Sequence, residues 1–211
     1  MKIGFVSESP ADDAAIQILL EAISGREIEP ISRARVRAGG WPSMLQAIQV
    51  EYTRLYYHTD AHAIIAVADS DDSAIHEIAH GSSNSDFENC RFCLLSERLR
   101  HTRSRLRPRP DGHQVHSAIG LAVPALEAWL LCGSDRHCVE DRFVRELQDG
   151  RSLAPLRRQL KAQLYGTITP PLSLEIEIAT REARRLARDL SLLETHFPRG
   201  FLPFAQQVRA W

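Results

Sequence analysis

The chain has 211 residues, 44% of them hydrophobic and 25% charged, with a formal net charge of −1. That balance suits one ordinary domain, or a core domain with an appendage, and excludes a disordered chain or a small disulfide scaffold. With no basic-then-apolar leader and no long uncharged apolar run, a cytoplasmic protein without a membrane span is expected, its four cysteines (Cys90, Cys93, Cys132, Cys138) reduced.

Residues 2–7, KIGFVS, read as a buried strand, and residues 11–23 place Ile16, Leu19, Leu20 and Ile23 at helical spacing up to Ser24-Gly25. A second strand-helix unit follows: residues 27–37 as a strand, the break AGGWP, then a helix from Pro42 to about His58. The run HAIIAVA at 62–68 is the uninterrupted apolar pattern of a strand buried on both faces of a parallel sheet. After DSDD comes a polar stretch, GSSNSDFEN, that reads as a surface loop. A helix from about Cys90 to Leu106 then ends at Pro108 and Pro110. A fourth strand, QVHSAIGLAV (114–123), leads into a helix opened by Pro124.

Beyond residue 135 the pattern is helical and polar, broken at TITPP, with a long helix expected over 172–195 and a tail packed on the body. The alternation of strand and helix predicts an α/β fold with a mostly parallel sheet of about four strands in residues 1–135. Residues 136–211 are expected as a helical C-terminal extension packed on it.

Acids punctuate the strand ends. Glu8 follows the first strand, Asp69 and Asp71 the third, and Glu127 lies in the first turn after the fourth, with Asp12 and Asp72 close behind. In an open parallel sheet ligands bind beyond the carboxyl ends of the strands, so these carboxylates are expected to converge. Asp69 and Asp71, at i and i+2 in an extended segment, would point the same way toward one hard cation. Carboxylates without His or Cys favour Mg²⁺ or Mn²⁺ over zinc. For each acid singly, capping of the following helix is an equal alternative.

These same segments carry a family resemblance. VSESPADDAAI resembles the first motif of the topoisomerase–primase (Toprim) domain, and IIAVADSDD its second, a strand ending in Asp-x-Asp. VPALEAWLL resembles a small bacterial Toprim-like family of uncharacterised function, sometimes encoded beside ABC-type or OLD-like ATPases. The resemblance covers roughly residues 1–135 and departs from the common pattern at Ser9, where many Toprim domains have glycine. It implies Glu8, Asp69 and Asp71 as catalytic residues and metal ligands, with Glu127 as a further ligand of Mg²⁺ or Mn²⁺; Asp12, standing close behind them, is a further candidate ligand from its position alone. It further implies a metal-dependent nuclease acting on DNA or RNA, in defence or repair. The alternative is a non-catalytic Toprim-like module that binds nucleic acid or a nucleotide and works with a partner ATPase. Self-association stays open.

Lysine occurs only at positions 2 and 161, so arginine carries most of the positive charge. On the helix after Cys90, Arg100, Arg103 and Arg107 share a face and can track a phosphate backbone; an ordinary solvated face is the competing reading. Trp41, in RAGGWPS, can stack on a base or fill a turn. A zinc site built from Cys90-x-x-Cys93 with Cys132 and Cys138 is disfavoured, because Cys93 and Cys132 read as apolar-face residues of two helices. A receiver-like phosphoacceptor is disfavoured as well, since it needs an acid pair after the first strand and a lysine after the last.

Overall fold

The structure, a computed structural model, describes residues 1–32, 40–77, 80 and 88–211. Its centre is a four-stranded, all-parallel sheet of β1 (Lys2–Val6), β2 (Glu29–Ile31), β3 (Ala63–Asp69) and β4 (His116–Ala122) in the order β2-β1-β3-β4. The register aligns Ile3 with Ala63 and Val6 with Ala66, and Asp69 with Ala122, so β3 and β4 end level. β1 and β3 are the apolar runs of the sequence, buried in all but their terminal residues, as strands covered by helices on both sides must be. β2 is a three-residue edge strand carrying Pro30, where a missing N–H costs nothing. Of the strand expected over 27–37, residues 29–31 form β2 while 27, 28 and 32 do not, and residues 33–37 lie outside the described residues.

Helix α1 (Pro10–Ser24) follows β1 directly. Ser9 caps it: its Oγ accepts from Asp12 N at 3.1 Å, while Asp12 Oδ2 accepts from Ser9 N at 2.9 Å, a reciprocal capping box with Pro10 in the first turn. Gly25, at φ 65°, closes the far end in the left-handed conformation that glycine adopts without penalty. Helices α2 (Gly40–His58) and α3 (Arg91–Arg105) pack together against the sheet.

After β4 the chain forms α4 (Leu126–Leu131), α5 (Glu140–Gln148), α6 (Ala154–Tyr165), α7 (Leu172–Leu186), α8 (Ser191–His196) and α9 (Phe201–Arg209). The single helix expected over 172–195 is broken: Asp189 Oδ1 accepts from Ser191 N at 3.0 Å and from Ser191 Oγ, starting α8 as a new helix.

The C-terminal helices complete the core. α7 lies along α1, and α9 lies against β4, where Trp129 meets Phe201 edge-on at 5.2 Å and Phe204 at 6.4 Å, all three fully buried. Gly120 in β4 leaves room for this cluster, because a Cβ there would come within 3.1 Å of the Trp129 ring. Buried residues of both the N-terminal α/β part and the C-terminal helices belong to one continuous hydrophobic core. Among the described residues no helix is long and apolar enough to cross a membrane.

Candidate functional site

The strand order places the crevice. The chain leaves β1 for β2 on one side and returns to β3 on the other, so the connections diverge at the carboxyl ends of β1 and β3. Glu8 stands two residues past β1, Asp69 is the last residue of β3, and Glu127 lies in the first turn of α4. Together with Asp12 they line a cavity of about 460 Å³, within the range of small-ligand sites (about 300–1,000 Å³).

Each acid is held differently. Asp69 Oδ1 accepts from Leu126 N at 3.0 Å, tying the end of β3 to the start of α4. Asp71 does not project from an extended segment as expected. Ser70 N donates to Ala122 O at 2.8 Å and Asp71 N to Pro124 O at 3.0 Å, and Asp71 turns into the left-handed region at φ 50°. That conformation costs on the order of 1 kcal/mol and is one that Asp tolerates better than most residues. The turn, rather than the strand pleat, directs its carboxylate, which pairs with Arg91 and Arg157 and lines an adjoining cavity with Trp41 rather than the one lined by Asp69. Asp72 is outside the cluster and fastens the C-terminal segment, accepting from Ser152 Oγ at 2.8 Å and from Leu153 N at 2.6 Å.

Glu8 plays no capping part, since Ser9 and Asp12 perform it. Its Oε1 is buried and accepts no hydrogen bond among the described residues, with Arg91 Nη1 at 3.7 Å. Arg91 also donates to Asp69 O at 2.7 Å and pairs with Asp71 at 2.5 Å, while its guanidinium lies 5.0 Å over the Trp41 ring. One guanidinium thus bridges Glu8 and the Asp69–Asp71 segment. Arg157, from α6, pairs with Asp71 and stands 3.6 Å from Asp69 Oδ2. Lys161, one turn further, is paired with Glu175 of α7 at 2.9 Å, and both line the same cavity.

Burial and mutual repulsion hold these acids away from their ordinary ionisation. Burial, followed by the charge of Glu127, pushes Asp12 up to about 7. Burial, then Glu127, Glu8 and Asp12, pushes Asp69 well up; Glu8 is raised by burial and then by Asp71, and Glu127 by burial. Four crowded carboxyl groups that resist ionisation, one with an unpartnered oxygen, form an oxygen-only donor set suited to a hard divalent cation such as Mg²⁺ or Mn²⁺. The donor chemistry suits that ion, while in spacing no three of these carboxylates lie within 4.8 Å of one another among the described residues.

The arginine ridge is a correction. Arg103 lies at the amino end of β4, donating to Tyr52 Oη at 3.0 Å and Ser117 Oγ at 2.8 Å. There it lines a second cavity, of about 620 Å³, with His116 and Trp211. Arg100 is exposed and paired with Glu97 at 2.6 Å, and Arg107 lies beyond the helix, which ends at Arg105. Twelve residues of helix, about 18 Å, separate Arg103 from Arg91. The cations that do meet the acids are Arg91, Arg157 and Lys161, two of them from the segment expected to be only an extension. Their signal in the sequence is weak, since RRQLK at 157–161 has the look of any solvated helical face.

No family model matches the chain, and neither the curated proteins nor the solved structures compared with it give a match.

Proposed function

We propose that the protein is a Mg²⁺- or Mn²⁺-dependent nuclease of the Toprim type that hydrolyses phosphodiester bonds through Glu8, Asp69 and Asp71, with Glu127 and Asp12 as supporting ligands. The observation that carries this reading is the convergence of acids from three separate chain segments on one cavity at the divergence of β1 and β3. When bound, the divalent ion supplies charge for a phosphate oxygen and for the leaving oxygen.

The residues do the rest. Glu8, its carboxyl raised by burial and by Asp71, takes a proton from the attacking water as general base. Arg157, Arg158 and Lys161 line the same cavity and receive the anionic oxygens of the phosphodiester. Trp41, beside Arg91 at the rim, offers a surface for a base next to the scissile phosphate.

One observation favours the second reading, a non-catalytic module that works with a partner ATPase. Asp71 is already neutralised by both Arg91 and Arg157, as in a site that needs no metal. Purified protein and its Asp69→Ala variant, incubated with single- and double-stranded DNA and RNA in Mg²⁺, Mn²⁺ or EDTA, separate the two. Metal-dependent cleavage lost in the variant is the expected outcome. No cleavage by the wild type, with equal Mn²⁺ affinity in both proteins, refutes the nuclease.

A further inference from the structure

Away from the acids, the segment after β3 and the start of α3 bring two imidazoles and two thiols together. His76 and His80 stand four residues apart, and Cys90 and Cys93 three apart, the last two fully or nearly buried. One ligand atom from each of the four lies within 4.8 Å of the other three. Cys93 Sγ is 3.4 Å from His76 Nδ1 and 3.8 Å from His80 Nδ1, and Cys90 Sγ is 3.8 Å from His76 Nδ1. In a tetrahedral zinc site, Zn–S bonds of about 2.3 Å and Zn–N bonds of about 2.05 Å give ligand-to-ligand edges of about 3.3–3.8 Å. These three sulfur–nitrogen separations fall within that range, and the remaining pairs lie within 4.8 Å.

The surroundings suit a closed site. The His76 ring stacks on Phe92 at 4.1 Å and meets His80 edge-on at 5.6 Å, so both imidazoles are held by packing. Cys90 is the N-cap of α3 and Cys93 lies in the first turn of that helix. Cys132 and Cys138 are elsewhere: Cys138 Sγ donates to Ala128 O at 3.1 Å inside the core. Sulfur and imidazole donors select zinc, in contrast to the oxygen donors of the acid cavity.

We propose that His76, His80, Cys90 and Cys93 bind one structural Zn²⁺ ion. Two imidazole nitrogens and two sulfurs fill its four positions; each thiol gives its proton to solvent as the sulfur–zinc bond forms. The ion fastens the chain after Asp71 to the amino end of α3. Arg91 follows Cys90 immediately, so the same clamp fixes the guanidinium that bridges Glu8 and Asp71. The proposal is independent of the nuclease reading and holds whether or not nucleic acid is cut.

The test is metal analysis of protein produced in zinc-supplemented medium and desalted, with absorption spectra of the Co²⁺-substituted form. One zinc per chain is expected, and the cobalt form is expected to show thiolate charge-transfer absorption together with intense tetrahedral d–d bands. Cys93→Ser and His80→Ala are each expected to weaken zinc binding ~10-fold or more. Cys138→Ser, another buried cysteine, and Asp69→Ala, in the acid cavity, are expected to keep the full zinc content. Folded wild-type protein that takes up no zinc and shows no thiolate–cobalt band overturns the proposal. So does zinc that persists undiminished in Cys93→Ser, or that is lost in Asp69→Ala. If Cys93→Ser fails to fold, the cobalt spectrum of the wild type decides alone.

Discussion

Asp12 is the acid whose crowding can be turned into a measurement. Its carboxyl is displaced from the ordinary 3.8 to about 7, by burial first and Glu127 second, which puts about 4 kcal/mol of penalty on the charged form. Asp12→Asn removes that charge while keeping an oxygen to accept from Ser9 N, so the capping box survives. The variant gives up the attraction of a charged side chain to the amino end of α1, worth about 0.3–1 kcal/mol. The net expectation at pH 8 is a stabilisation of about 3 kcal/mol, or roughly 6–12 °C in Tm for a chain of this size. The sign follows from proton binding. Between the unfolded value near 4 and the folded value near 7, the folded state holds the extra proton, so wild-type stability falls as pH rises through that window. The advantage of the variant is therefore nil near pH 4 and full above pH 7. Thermal and urea unfolding followed by circular dichroism, at both pH values and with chelator present, tests it. A variant no more stable than wild type at pH 8, or equally advantaged at pH 4 and pH 8, refutes the crowding argument.

Arg157→Met, which withdraws the guanidinium from Asp71 and Asp69, is expected to tighten Mn²⁺ binding about 10-fold, or 1.4 kcal/mol, by titration calorimetry; unchanged affinity means the arginine does not compete for those oxygens. Gly200→Ala is expected to destabilise by about 2–3 kcal/mol in urea unfolding, because a Cβ there would lie 2.1 Å from the backbone oxygen of Leu121; a loss under about 0.5 kcal/mol would show that β4 and α9 can separate without cost.

The parallel sheet and the strand ends are legible in the sequence because buried strands leave uninterrupted apolar runs, and because capping and punctuation are local. Ser9 with Asp12, Gly25 and the prolines after α3 all act within a few residues. For the same reason the chain itself places Glu8, Asp69 and Glu127 at one edge: topology brings the ends of parallel strands together whatever the side chains are. The two-sided role of Asp12 is equally readable, since an acid four residues past Glu8 can cap a helix and still face a cavity.

What the sequence by itself determined is the fold class and the list of acids at the strand ends, since both depend on period and position along the chain. Only tertiary structure decided which cations face those acids, because Arg157 and Lys161 come from a helix far beyond Asp69 in the chain and nothing local marks them. It also decided that Arg103 serves the opposite end of the sheet, a consequence of the roughly 1.5 Å rise per residue along α3. The His76, His80, Cys90 and Cys93 cluster belongs to the same class. Its two spacings are visible in the chain, but their pairing is a distance between segments, and such a distance is set by packing.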